Sequence, residues 1–217
     1  MSFDRNKIIE VMNLWVGAST GSDMHKSILD IYNSFRPLPR GYKMKTGDAW
    51  CAATVSAAAI ACGYTDIIPP ECSCSRMIEL LKAKGEWVED DAYVPTVGDI
   101  IFYYWEDTGI GDCQQHASHV GFVESCDGKC IVTIEGNYNK AVRKRRITVN
   151  SRYIRGYGVP KYDDTITDTT RYYVAKRGDT ISGLLKQGII NDKSAFIQIN
   201  NISAPYWLYA GKTYVLR

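Results

Sequence analysis

The sequence predicts an α+β protein followed by a second, smaller unit. Three observations carry this. Up to about Lys84 the apolar residues recur at helical spacing, whereas from Asp99 onward short alternating β-type segments take over. The stretch KYDDTITDTT, after Pro160, has only Tyr162 and Ile166 to bury and reads as a linker. Charge is divided unevenly, with nineteen basic and twenty-one acidic side chains in residues 1–164 against seven and three in 165–217. The predicted division is residues 1–160, a linker at 161–170, and a second unit at 171–217.

Each element has its own signals. Asp4 caps a first helix in which Ile8, Met12 and Trp15 share a face. Ser22 or Asp23 caps a second, carrying Ile28, Tyr32 and Phe35, on which His25 sits among polar neighbours and is expected at the surface. The run RPLPRG ends it. An alanine-rich helix spans about Trp50 to Cys62 and stops at Gly63, and a fourth covers Ser75 to Lys84. Strands are predicted at Ile100–Trp105, His119–Ser125, Ile131–Asn137 and Arg146–Val149. The tail reads strand–helix–helix–strand: Arg171–Ala175, a short helix capped by Asp179 or Thr180, Lys193–Asn200, and Thr213–Leu216.

Composition excludes several classes. With 45% hydrophobic and 23% charged residues and a net charge of +2, the chain reads as globular, and it lacks the basic excess of a dedicated nucleic-acid binder. The longest apolar run, Ala52 to Cys62, is too short to span a bilayer, so no membrane insertion is expected. Asp4, Arg5 and Lys7 stand where a signal peptide is apolar, which implies cytoplasmic synthesis with mostly reduced thiols. Seven cysteines leave at least one unpaired. Cys72, Cys74, Cys113 and His116 lack the paired Cys-x-x-Cys knuckles of a zinc site, so neither metal nor cofactor is expected. Cys126 and Cys130 flank a hairpin turn whose register decides whether they pair. Lys144, Arg145 and Arg146 read as a solvated strand face, and Tyr103, Tyr104 and Trp105 as core or as a cleft wall.

The chemistry centres on Cys51, in GDAWCAATVSAAAIACG, at the start of the alanine-rich helix. Unpaired backbone N–H groups and the helix dipole stabilise a thiolate there. Equally, Cys51, Val55, Ala58 and Cys62 share a face and suit a core. A cysteine nucleophile needs a base, and His119 opens the alternating segment HVGFV. The following strand, IVTIEGN, places Glu135 and Asn137 on one face. With Gly128 left-handed in a three-residue loop, Ser125 pairs with Lys129 and His119 with Glu135. A loop of residues 127–129 instead pairs His119 with Asn137 and leaves Glu135 diagonal. A two-residue Asp127–Gly128 turn points both polar groups away. Only the first two put Val120 and Phe122 on the face of Val132 and Ile134. Cys51, His119 and either Glu135 or Asn137 as the imidazole's orienter then suit acyl transfer, with N–H groups at the helix start receiving the oxyanion.

These residues resemble the CHAP family of papain-like cysteine, histidine-dependent amidohydrolases and peptidases of peptidoglycan. The resemblance rests on AWCAATVSAAA, GDIIFY, HVGFVES, IEGNY and RGYGVPKY, and covers about Lys45 to Tyr162. It implies a papain-like domain of N-terminal helices packed on an antiparallel sheet, with Cys51, His119, Glu135 and Asn137 catalytic. Some relatives bind calcium through an acidic loop before the cysteine, but here RGYKMKTGDAW holds only Asp48, so calcium is not carried over. The tail resembles a LysM module through YYVAKRGDTISGLL and INNISAPYWLYAGKTYVL. That implies N-acetylglucosamine-containing glycan bound near Gly178, Asp179, Thr180, Ile181, Ile202, Pro205 and Leu208. Lys186-Gln187-Gly188 followed by Ile189-Ile190 departs from the pattern. Together the two resemblances imply a phage or prophage endolysin, acting at the bacterial wall after release, as amidase or as endopeptidase. A glycan-binding wall protein with an inert site, and a cysteine peptidase on a non-wall substrate, are the alternatives.

Overall fold

The computed structural model describes residues 3–109, 116–163, 171–190 and 192–216. The chain divides into two compact units, Met1–Asp163 and Asp164–Arg217.

In the first unit the helices are α1 (Arg5–Trp15), α2 (Asp23–Ser34), α3 (Cys51–Cys62) and α4 (Cys74–Ala83). Asp4 caps α1 by accepting from Asn6 N, and Ser22 caps α2 by accepting from His25 N. Gly63 ends α3 in the left-handed region that glycine adopts without strain. Six strands, β1 (Trp87–Val88), β2 (Ile100–Tyr103), β3 (His119–Cys126), β4 (Cys130–Tyr138), β5 (Ala141–Thr148) and β6 (Ile154–Gly158), form one antiparallel sheet in the order β1-β6-β2-β3-β4-β5. The predicted helices-then-antiparallel-strands layout is the observed one.

α3 is the buried centre. Ten of its twelve residues are buried, half of them alanines that let α1, α2, β3 and β4 approach from different sides. A Cβ on Gly136 would run into the Thr54 side chain, so β4 lies directly against this helix. Ile8, Met12, Ile28, Tyr32, Trp50, Val120, Phe122 and Ile134 complete that core. Behind the sheet a smaller cluster gathers Ile101, Tyr103, Val123, Ile131, Ile154 and Tyr157.

Several expectations are corrected. β5 begins at Ala141 rather than Arg146, because the α1–α2 loop pairs with its first residues through Gly17 N–Val142 O and Val142 N–Ala18 O. β6, with its glycine-rich IRGYG, was absent from the prediction. Gly156 sits at φ +136° beneath Trp87, where a Cβ would lie 2.5 Å from the indole, so the glycine serves a close approach rather than a loop. His25 is not a surface residue: it is fully buried, accepts from Gly21 N through Nδ1, and packs 4.3 Å from the Trp50 ring. Tyr162, read as linker, is buried and donates to the Gly98 carbonyl at 2.8 Å. Residues 164–170 of that linker lie outside the described residues.

The second unit has the order β7 (Arg171–Val174), α5 (Ile181–Lys186), α6 (Lys193–Ile199), β8 (Thr213–Leu216), with β7 and β8 antiparallel. Thr180 caps α5 and Asp192 caps α6. The core is small: Ala175, Ile181, Leu184, Ile190, Phe196, Tyr214 and Leu216. Asn200, at the end of α6, exchanges two hydrogen bonds with the Val215 backbone and ties helix to strand.

Candidate active site

Cys51 is the first residue of α3, and no side chain caps that helix. Trp50 presets its position, being fully buried against His25 and donating through Nε1 to Thr20 Oγ1 at 3.1 Å. The sulfur is nearly buried and lies 3.7 Å from the Cys74 sulfur, with His119 and the Ala52 N–H the other groups that act on it. The Cys74 thiol is the largest influence lowering the Cys51 pKa; burial opposes it and His119 reinforces it, leaving Cys51 well below an ordinary thiol. Cys74 shifts the opposite way, because the neighbouring thiolate and burial both favour its protonated form.

His119 begins β3 opposite Tyr103 on β2. Its Nε2 meets Glu135 Oε2 at 3.0 Å, which leaves Nδ1 for Cys51. Burial pulls the imidazole down, but Cys51 and Glu135 outweigh it and raise the pKa to about 9. Glu135 is fully buried and also accepts from Tyr103 Oη at 2.8 Å, Thr133 Oγ1 at 2.6 Å and Arg145 through Nε and a terminal nitrogen at 2.8–3.0 Å. Burial raises its pKa, and the bonds from His119 and Arg145 more than reverse this, holding it at about 2.

The hairpin register accounts for this meeting. Phe122 pairs with Ile134 and Val123 with Thr133, which is the register that leaves Glu135 diagonal to His119. Near the turn it slips by one residue at Glu124, so that Ser125 faces Val132 and Cys126 faces Ile131. The turn then closes around Gly128 and Lys129, with Asp127 N donating to Cys130 O, an arrangement outside the three weighed above. Cys126 and Cys130 are both free thiols. Gly121 completes the fit: a Cβ there would lie 2.5 Å from Glu135 Cγ.

Asn137 lies elsewhere. It occupies a bulge between Glu135 and Tyr138 at φ +59°, a region asparagine tolerates, and makes no side-chain hydrogen bond among the described residues. It lines a cleft of about 310 Å³ with Trp105, His119, Tyr138, Asn139 and Arg145. Glu135, not Asn137, therefore touches the imidazole. Tyr103 is core, while Trp105 stacks on it at 4.7 Å and faces the cleft.

Arg145 corrects the reading of residues 144–146 as a solvated face. It lies opposite Thr133, forks onto Glu135 and packs 3.8 Å from the Tyr138 ring. Alternation along a strand starting at Ala141 would have placed it on the polar face; the predicted start at Arg146 hid it. Among the described residues no group of three or more His, Cys, Asp or Glu side chains is arranged to hold a metal. Cys113, one member of the set weighed for zinc, lies outside the described residues.

Residues 41–137 match the CHAP domain family. That segment is a CHAP domain. Cys51, His119, Glu135 and Asn137 all fall inside it, whereas Arg145 lies beyond the matched stretch of the CHAP domain. No curated protein sequence matches the chain. Among solved structures, Ly7917 is 15% identical with a TM-score of 0.42, covering 78% of this chain and 64% of its own. Ly7917 with the hydrolyzing product of MDP is 17% identical with a TM-score of 0.38, covering 79% and 66%. The chain thus spans somewhat less than two thirds of Ly7917.

In the second unit the residues picked for glycan contact separate. Asp179 accepts from Tyr173 Oη and Lys176 N, Thr180 caps α5, Ile181 is core, and Gly178 turns at φ +92°. Ile202 and Pro205 line a concavity of about 170 Å³ that also holds Trp207 and Tyr209, while Leu208 packs against the core. Trp207 and Tyr209 are exposed, and the sequence reading does not name them, since aromatic residues in an irregular loop carry no periodic signal.

Proposed function

We propose that the protein hydrolyses an amide bond of bacterial peptidoglycan, with Cys51 as nucleophile. CHAP domains typically act on this polymer, and the observation that carries the reading is the continuous chain Cys51–His119–Glu135 beginning at an uncapped helix N-terminus. The Cys51 thiolate attacks the carbonyl carbon, and the oxyanion receives the Cys51 N–H at the open end of α3. His119, protonated near neutral pH, gives its Nδ1 proton to the leaving nitrogen as the tetrahedral intermediate collapses to a thioester. The neutral imidazole then takes a proton from water, hydroxide adds to the thioester, and the carboxylic product leaves as Cys51 returns to thiolate and His119 to imidazolium. Glu135 fixes the Nε2–H tautomer throughout. Asn137 and Trp105 line the cleft where the peptide lies.

In this reading the second unit is a LysM-like module holding N-acetylglucosamine-containing glycan in the concavity beside Trp207 and Tyr209, with a net positive charge suited to an anionic wall. The whole is an endolysin of phage or prophage type.

The test is digestion of purified sacculi, with the new amino termini read by mass spectrometry. New N-terminal L-Ala identifies an N-acetylmuramoyl-L-alanine amidase; D-amino-acid, Gly or bridge termini identify an endopeptidase. Cys51→Ala is expected to release neither, and unchanged release by that variant would sink the reading. Removing residues 165–217 is expected to weaken sacculus binding.

A further inference from the structure

Cys74 has no part in the mechanism above beyond its contact with Cys51, yet its placement is closely specified. Cys51 opens α3 and Cys74 opens α4, so two thiols meet at the ends of two helices, with their sulfurs 3.7 Å apart and both nearly buried. The approach to α4 is stapled to α3. Ser56 Oγ donates to the Glu71 carbonyl at 2.6 Å and accepts from Glu71 N at 2.8 Å. The Glu71 carboxylate in turn accepts from Cys72 N and Ser73 N, and Ser73 caps α4. Closing the sulfurs to a bond requires an approach of only about 1.7 Å, given an S–S length near 2.05 Å.

We propose that Cys51 and Cys74 are a reversible redox pair, in which Cys74 is the resolving thiol that captures an oxidised Cys51 as a disulfide and switches the site off. The oxidant is hydrogen peroxide. The Cys51 thiolate attacks the peroxide oxygen, the O–O bond breaks, and Cys51 becomes a sulfenic acid with release of hydroxide. The Cys74 sulfur then attacks the sulfenic sulfur, and the S–OH oxygen leaves as water, taking the Cys74 proton. The two sulfurs together lose two electrons and the peroxide gains them. A dithiol reverses the step by exchange through a mixed disulfide. The pair is asymmetric in the required sense: Cys51 is held as the reactive thiolate, and Cys74 keeps its proton until a sulfenic acid appears. The proposal rests on Cys51 being the reactive thiolate, though not on the bond it cuts.

The experiment treats the full chain with several equivalents of hydrogen peroxide and digests it unreduced with trypsin and chymotrypsin, which separate Cys51 from Cys74 by cutting after Tyr64. The expected product is a Cys51–Cys74 linked pair two hydrogens lighter than the free peptides, lost on dithiothreitol treatment. Sacculus hydrolysis is expected to fall with linkage and return on reduction. In Cys74→Ser the same dose is expected to carry Cys51 on to sulfinic acid, with less than a tenth of the reducible recovery seen in the parent. Sulfinic acid on Cys51 without a link, or a link to Cys62 or Cys72, overturns the proposal. Because fragment ions of the linked pair tell Cys51 from Cys62 and Cys74 from Cys72 in the unaltered protein, the test does not depend on a variant. A linked pair in a protein that never cuts sacculi refutes the hydrolase reading alone.

Discussion

Replacing Glu135 with Gln keeps the side chain's size and removes its charge, and the consequences can be worked from its neighbours. The carboxylate accepts from Tyr103, Thr133, Arg145 and His119 with no exposure to solvent. Its pKa of about 2 against an ordinary 4.5 corresponds to roughly 3 kcal/mol favouring the ionised, folded form. The amide leaves Arg145, whose side chain is only 20% exposed, with an uncompensated charge, and breaking such a pair costs about 3–5 kcal/mol. For a chain of this size that is a fall in Tm of roughly 6–20 °C, readable by thermal denaturation. The chemical effect is separable from the loss of stability. Without Glu135 the burial of His119 pulls its pKa down from about 9, so less imidazolium is available to hold the Cys51 thiolate. At a temperature where both proteins are folded, the pH at which Cys51 becomes half-reactive toward iodoacetamide should rise in Glu135→Gln. Hydrolysis should drop by about 10²–10⁴-fold, the usual range for losing an oriented acid–base group. An unshifted alkylation profile in a folded variant would refute the relay from Glu135 through His119 to Cys51.

Stability of the parent should weaken on both sides of a plateau. The contribution of Glu135, whose folded pKa is depressed, is present above about 4.5 and lost as pH falls toward about 2; that of His119, whose folded pKa is raised, is present below about 6.5 and lost as pH rises through about 9. Urea midpoints across pH 2 to 10 check both limbs. Arg145→Gln should raise the Glu135 pKa and move the acid limb toward neutral pH, seen in the same titration. Gly121→Ala places a Cβ against Glu135 Cγ and the Ile134 carbonyl, and should cost about 1–3 kcal/mol together with a loss of hydrolysis larger than the stability change explains. In a Cys51→Ala background, Trp207→Ala should weaken sacculus binding by about tenfold in a pelleting assay, as expected for one lost stacking platform.

Much of this was legible because the informative residues obey short-range rules. Asp4, Ser22, Gly63 and Thr180 sit at helix ends for reasons of capping chemistry that need no tertiary context. Cys51 at a helix start and His119 on a strand followed from the same local signals. What escaped depends on partners distant in sequence. His25 reads as polar surface until Trp50 is found across from it, and β6 reads as loop until Trp87 fills the space over Gly156. The Glu124 bulge is invisible to alternation, because the slip is defined only against the partner strand β4. Cys74 gave only an unconvincing metal spacing, since its role lies in a 23-residue separation that folding closes to 3.7 Å.

The four charges of the site alternate along one line: Cys51 negative, His119 positive, Glu135 negative, Arg145 positive. Burial alone pushes the two anionic groups up and His119 down, each toward its neutral form. For His119 and Glu135 the line reverses this because each has an opposite charge on either side, while Cys51 is lowered first by Cys74 and then by His119; the four charges sum to zero. A carboxylate serving only His119 would accept the imidazolium's proton more readily in so buried a position. With Arg145 forked onto it and Tyr103 and Thr133 donating to its other oxygen, Glu135 stays ionised and the proton stays on the imidazole, where the proposed mechanism needs it. The residue farthest from the sulfur thus acts on the protonation state beside it, which is why Arg145, outside the matched CHAP stretch, belongs to the same chemistry as Cys51.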